Sequence, residues 1–346
     1  MARSPANPLD ECTQKMREIV RSVVQESQGR LERDEVYARA FGRVIEAHLG
    51  GVDRGFAYLG ERAESMRAYA ETYQRMLAER PVLVDGEVRF EPAEDRRRLG
   101  SFYTPQTLVD HLVEKSLASP PDKAAKPALE RRICDPSVGV GAFLVGSARR
   151  LAELSGDPAG SKDTIVRECL YGVDIDPTAA MLCRAVLACM TSEPRAVFEH
   201  LAQRIKVGNA IVGARSELIE VGIPGRAFVV REGDVPAVVS WYKRRNTKER
   251  RRSTLVQSAL DDPDPKLSAD AWCAAFVWRR HDTSEPGVVE GCPGEWDAMT
   301  QRWFEVVRTE PEQMPEWMRS EITRLSAQFQ FFHWHLEFPE VFARLR

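Results

Sequence analysis

Four short stretches of this sequence carry residue types that could do chemistry. The sharpest is DPSVGVGAFL, Asp135 to Leu144. Ile133-Cys134 reads as a short apolar strand that ends at Asp135. Gly139 and Gly141 then permit a tight turn and close approach of backbone to a ligand. Phe143 and Leu144 begin a helix whose first amides face that ligand. Such a loop suits a dinucleotide site or an ordinary strand–helix turn. The spacing is not G-x-G-x-x-G, because position 144 is Leu144, and this counts against a dehydrogenase. The second stretch is YGVDID, Tyr171 to Asp176. A carboxylate at a strand end can accept hydrogen bonds from both ribose hydroxyls. Asp176 is followed by Pro177 and suits a helix N-cap, which leaves Asp174 for the ribose. In the third, VGNAI, Asn209 can both donate and accept toward an adenine edge, or serve its own turn. In the fourth, GSFYTP, Thr104 reads as an N-cap with Pro105 in the first helical turn.

The elements that must position these residues alternate. Residues 10–90 read as helix, with Met16, Ile19, Val20, Val23 and Val24, and then Val36, Phe41, Val44 and Ile45, at three- and four-residue steps. After Leu99 the pattern becomes helix, strand, Gly-rich loop, helix, strand, helix, strand, which predicts a parallel sheet with crossover helices over 98–215. Beyond 215, RAFVVREGD reads as a short strand and turn, VVSWYKRRNTKERRRSTLVQSAL and LSADAWCAAFVWRR as helices, and TSEPGVVEGCPGEW as loop.

Composition narrows the classes. The chain has 346 residues, 49 basic and 52 acidic, so it is not polybasic throughout. No apolar run reaches the ~18–20 residues of a membrane span, and the N-terminus lacks the apolar core of a secretory signal. Seven cysteines without a CxxC predict reduced thiols and a cytoplasmic location.

Taken in order, GSFYTP, DPSVGVGAFL, YGVDIDP and VGNAI resemble the S-adenosylmethionine-binding part of site-specific DNA adenine-N6 methyltransferases of the large restriction–modification and phage-defence type. The ending FFHWHLEFPEVF is also similar to a string of that family. The resemblance implies an α/β fold: a class I methyltransferase-like parallel sheet, incomplete here, with a helical N-terminal domain (1–97), a cofactor-binding core (98–215) and a mixed insertion (216–346). It implies S-adenosyl-L-methionine as cofactor. Tyr103, Thr104 and Pro105 would close over its methionine end, and Asp135, Gly139 and Gly141 would pack on it. Asp174 would bind ribose, Ile175 stack on adenine, and Asn209 read the adenine edge. The partner it implies is double-stranded DNA.

The departures matter. Val138 and Val140 replace the usual Cys and Ser of the loop. The family catalyses with Asn-Pro-Pro-aromatic, which presents acceptors to the amino group of a flipped adenine, and no Asn-Pro-Pro or Asp-Pro-Pro occurs here. No catalytic residue is therefore assigned. The expectation is a front portion of such an enzyme, with a second polypeptide or a further segment supplying the catalytic motif and target recognition. The alternative is a catalytically inactive cofactor- or DNA-binding module of a defence complex. The run WYKRRNTKERRR adds seven bases, of which Lys243, Arg244, Arg245, Arg250, Arg251 and Arg252 are candidate phosphate contacts; Lys248 is the seventh. His333 and His335 flank Trp334, but no Cys or acid cluster supports a metal site there.

Overall fold

The computed structural model describes residues 8–50, 62–93, 104–118, 126–253, 262–280 and 298–343. The chain divides into two units, Met1–Val207 and Gly208–Arg346. No helix among the described residues is long and apolar enough to cross a membrane.

The first unit opens with three helices, α1 (Pro8–Glu26), α2 (Arg33–Gly50) and α3 (Arg62–Met76). Their apolar stripes fall at helical spacing and are buried: Met16, Val20 and Val23 on α1, Phe41 and Val44 on α2, Met66, Tyr69 and Tyr73 on α3. Helix does not continue to residue 90 as the sequence pattern suggested. Strands β1 (Glu79–Val84) and β2 (Glu87–Pro92) form an antiparallel hairpin instead. Its two-residue turn is Asp85-Gly86, with φ of 51° and 79°. Both residues in the left-handed region match the strand twist, as an Asp-Gly turn favours.

Next come α4 (Gln106–Leu117), β3 (Ile133–Asp135), α5 (Ala142–Ser155), α6 (Lys162–Glu168), β4 (Leu170–Asp174), α7 (Pro177–Ala188), α8 (Pro194–Leu201) and β5 (Ile205–Val207). β3, β4 and β5 pair in parallel in that order, with Ile133 opposite Leu170 and Asp174 opposite Val207. The parallel sheet with helical crossovers is as expected. β4 is central, with Leu170, Tyr171 and Val173 buried. α7 packs on α2 and α3, and one continuous core joins the N-terminal helices to the sheet. All three strands end on the same side, and all three ends carry residues singled out above or their neighbours.

The second unit is helical: α9 (Ser216–Val221), α10 (Pro236–Arg252), α11 (Pro265–Val277), α12 (Gln301–Thr309), α13 (Glu316–Phe329), α14 (Trp334–Glu337) and α15 (Pro339–Phe342). α11 is buried nearly all round and packs on α12 and α13. Its start is fixed by Asp264, whose carboxylate accepts the Leu267 amide at 2.9 Å, and by Pro265. The strand expected in RAFVVREGD is absent among the described residues: Gly225–Ala227 is a short 3-10 turn, and Val229 and Val230 are exposed. Paired valines without a partner strand have no ladder to join. The expected TSEPGVVEGCPGEW loop lies outside the described residues.

The 208–214 segment seats directly on 331–334. Phe332 donates its amide to Val212 O at 2.8 Å, and Asn209 forms an isolated parallel bridge with Phe331. A Cβ on Gly213 would fall 1.9 Å from Phe332 O. Beside it, the Ala214 amide donates to His333 Nδ1 (3.0 Å), so the ring proton sits on Nε2, which donates to Asp270 Oδ1 (2.8 Å). Burial alone would push the Asp270 carboxyl up. Hydrogen bonds from His333 and Lys266, and the charge of Lys266, outweigh it and hold the group below its ordinary value. A depressed carboxylate stabilises the fold above its unfolded pKa and loses that contribution as pH falls through the folded value. Asp270→Ala would strand a buried imidazole donor. We predict a loss of about 2 kcal/mol, read by urea unfolding followed through tryptophan fluorescence, with the difference from wild type shrinking in acid.

Candidate functional site

The site builds from the ends of β3 and β4 in the first unit. After Asp135 the chain turns: Ser137 donates its amide to Asp135 Oδ1 (3.0 Å), and Val138 donates its own to Val173 O (2.9 Å), which lays the loop across β4. Val138 and Val140 are both buried. Val138 covers Gly172, where a Cβ would come within 2.9 Å of Val138 Cγ2. The valines that depart from the family pattern therefore point into packing. Gly139 and Gly141 stand at φ of 52° and 93°, and a Cβ on Gly141 would lie 2.8 Å from Cys183 Sγ on α7. Gly141 is the N-cap residue of α5, whose first amides lack intrahelical partners.

Asp174 ties these parts together. Its Oδ2 accepts the Gly139 amide at 2.7 Å, and its Oδ1 accepts the Asp176 amide at 2.9 Å. A carboxylate offers about four lone-pair directions, so two remain. Asp176 caps α7, accepting from Thr178 (2.9 Å) and Ala179 (3.3 Å), as its Pro177 neighbour suggested. Ile175, between the two acids, is 41% exposed, and Val207 at the end of β5 is 39% exposed. Apolar side chains left open at the carboxyl ends of adjacent parallel strands form the usual place for a flat ligand ring.

The electrostatics are acidic. Burial raises the carboxyl pKa of both Asp135 and Asp174. Amide hydrogen bonds lower each in part, and at Asp174 the charges of Asp176 and Asp135 raise it further. Asp135 Oδ2 is buried and meets no hydrogen-bond partner among the described residues. The loop carries no Lys or Arg, so nothing in it answers a pyrophosphate. A ligand that is cationic and brings hydroxyl donors suits these groups.

Two residues that the sequence did not single out belong here. Tyr73 on α3 donates its hydroxyl to Asp176 Oδ2 at 2.6 Å, and its ring edge packs on Phe41. Burial, then the Asp176 charge, holds that phenol protonated. Gln74 brings Nε2 to 3.8 Å from where a Cβ on Gly139 would sit. The available signal was a tyrosine inside the apolar stripe of α3, since a buried hydroxyl needs a partner.

The remaining candidates are placed as follows. Thr104 precedes α4 and Pro105 is its N-cap residue, without a side-chain cap bond; the expected Thr104 cap is not formed. α4 crosses α5 closely, where Gly146 admits Val109. Tyr103 lies outside the described residues. Asn209 belongs to the second unit, where its Oδ1 accepts the Ile211 amide (3.3 Å) in its own turn. Among the described residues no three His, Cys, Asp or Glu gather to hold a metal.

Residues 90–200 match the family model described as N-6 DNA Methylase. The matched stretch holds β3, the glycine loop, β4 and α7, and it covers less than half of the chain. The mixed architecture with a small parallel sheet fits a methyltransferase-like fold. No curated protein and no solved structure matches the chain.

Two outcomes follow from this geometry. Gly141→Ala forces a left-handed φ on a residue with a Cβ and drives that atom onto Cys183. We expect a loss of about 2–3 kcal/mol in thermal or urea unfolding. Asp135 and Asp174 have raised folded pKa values, so falling pH protonates them and relieves their burial. The same protonation removes acceptors from a ligand. Affinity for a hydroxyl-bearing cationic ligand should fall in acid, and that fall should begin above the ordinary carboxylate range; calorimetry over a pH series reads it, and an affinity that does not fall on acidification would contradict the assignment.

Proposed function

We propose that this chain is the S-adenosyl-L-methionine-binding portion of a DNA methyltransferase acting on adenine N6, in restriction–modification or phage defence. The observation that carries the reading is the Asp174 carboxylate. It stands at the end of β4, is held by the Gly139 and Asp176 amides, keeps acceptor capacity open, and has exposed Ile175 beside it. The similarity of residues 90–200 to N-6 DNA methylases supports the same reading.

In this reading residues 98–215 form the cofactor core of a class I-type sheet, with 1–97 as an N-terminal helical part and 216–346 as an insertion. Asp174 accepts from the ribose hydroxyls, and Ile175 and Val207 flank the adenine. Asp135, with its orphaned buried oxygen, faces the cationic end, and Gly139 and Gly141 let the backbone close in. Tyr103, Thr104 and Pro105 cover the methionine end. When bound, the cofactor supplies an electrophilic methyl group on a sulfonium. The chain's own residues bind and orient; the acceptors for the adenine amino group come from a partner polypeptide or a further segment, because no Asn-Pro-Pro occurs here. The substrate is double-stranded DNA.

The test is calorimetry with S-adenosylmethionine on wild type and Asp174→Ala. Binding by wild type and a loss of at least tenfold in the variant are expected, since about 1.4 kcal/mol, one charge-assisted hydrogen bond, is a factor of ten. Unaltered affinity in Asp174→Ala would refute the pocket. Binding of NAD in place of S-adenosylmethionine would refute the methyltransferase reading.

A further inference from the structure

Helix α10 carries PAVVSWYKRRNTKERRR, and the structure divides its charges between two faces. One face is inside. Val238, Val239, Tyr242 and Asn246 are buried. The Asn246 amide group donates to Ile223 O (2.9 Å) and accepts the Gln301 backbone amide (2.8 Å). Glu249, the single acid of the helix, accepts from Arg245 (2.8 Å) and from the Arg302 amide (3.0 Å). Arg245 also lies over the Trp241 ring at 5.4 Å, and Arg250 donates to Val221 O (3.2 Å). These groups fix the helix in the second unit.

The opposite face is strongly basic. Lys243, Arg244, Lys248, Arg251 and Arg252 are exposed, and none makes an ion pair or side-chain hydrogen bond with a described residue. Trp241 stands among them, 44% exposed. Arg244 and Lys248, and Lys248 and Arg252, are four residues apart. Like charges at that spacing oppose helix formation. The helix dipole welcomes Arg250–Arg252 in the last turn, but it offers nothing to Arg244 and Lys248 in mid-helix. A row of mutually repelling cations without an acidic partner among the described residues, on a firmly anchored helix, is satisfied by a dense row of opposite charge. From Lys243 to Arg252 the row spans about 13 Å at ~1.5 Å per residue. That is close to the ~12 Å width of the major groove of duplex DNA, so phosphates on both sides come within reach.

We propose that the outer face of α10 is a duplex-DNA backbone contact, formed by Arg244, Lys248 and Arg251, with Lys243 and Arg252 at its margins. The identity of the polyanion rests on the DNA-methyltransferase reading above. The surface itself rests on its own geometry. It narrows the basic run: Arg245 and Arg250 serve the fold, and Lys248 joins the contact set.

The experiment is fluorescence anisotropy of a labelled 30-base-pair duplex with the full chain, from about 50 to 300 mM salt, for wild type and for Arg244→Ala/Lys248→Ala/Arg251→Ala. All three side chains are exposed and make no ion pair with a described residue, and circular dichroism checks that the variant folds. Each phosphate contact contributes about 0.9 to the slope of log affinity against log salt. The variant should lose close to 3 from that slope and at least tenfold in affinity at about 0.1 M salt, while its calorimetric affinity for S-adenosylmethionine stays that of wild type. An unchanged slope overturns the proposal. So does a wild-type chain that binds S-adenosylmethionine but no duplex, or tighter binding to the single strand of the same sequence. Displacement of the duplex by polyglutamate at equal charge overturns it in favour of an acidic polypeptide partner. Duplex binding that persists with the expected slope change, without any S-adenosylmethionine binding, supports the surface and removes the cofactor reading alone.

Discussion

A single carboxylate sets the geometry on which the candidate site depends. Asp174 ends the central strand, and its two oxygens take the amides of Gly139 and Asp176. The first bond folds the glycine loop back over the sheet. The second shapes the turn into α7. Desolvating a carboxylate is costly unless it is hydrogen-bonded, and here the bonds come from peptide groups that would themselves otherwise be unsatisfied. The arrangement is also asymmetric in charge. Asp135, Asp174 and Asp176 crowd the strand ends, and no base in the loop relieves them. A site that holds negative charge against burial favours a ligand that brings positive charge and donors.

The N-terminal helices are part of this arrangement. Tyr73 donates to the capping Asp176 from 103 residues away in sequence, and α3 packs on α7. Asp176 thus accepts from both ends at once: two helix amides from its own turn, and a phenol from the bundle. The strand end is consequently rigid in a way that the three-stranded sheet alone would not make it. Gln74, next in sequence, brings the same helix close to the outer side of the loop.

What was readable in the sequence was local. Gly139 and Gly141 announce positive φ, Asp176-Pro177 announces a cap, and alternating apolar runs announce the parallel sheet; each signal is carried by residues within a few positions of one another. The β1–β2 hairpin was equally local, in Asp85-Gly86, but the strong helical periodicity on either side of it concealed the turn. Val229-Val230 failed in the opposite direction, a strand-like pair with no ladder to enter. Thr104 gave way to Pro105 because the backbone turns helical one residue later than the cap pattern implied. Tyr73, and the bonds of His333 to Ala214 and Asp270, were beyond reach, since hydrogen bonds between residues 63 to 119 positions apart leave no periodic trace. Asn209 carried two readings, and the structure shows its side chain closing its own turn.

The seating of Phe332 on Gly208 and Gly213 has a consequence for how the protein is made. The Ala214–His333 bond spans 119 residues, and a contact that closes so long a loop forms slowly. During synthesis the amino-terminal side folds first. The 208–214 turn then waits until residues near 333 have left the ribosome. Through that interval the Val212 carbonyl and the Ala214 amide lack the partners that Phe332 and His333 bring. The 208–214 turn is therefore the part of the second unit that stays open longest on the nascent chain, closed only once Phe332 and His333 have been made.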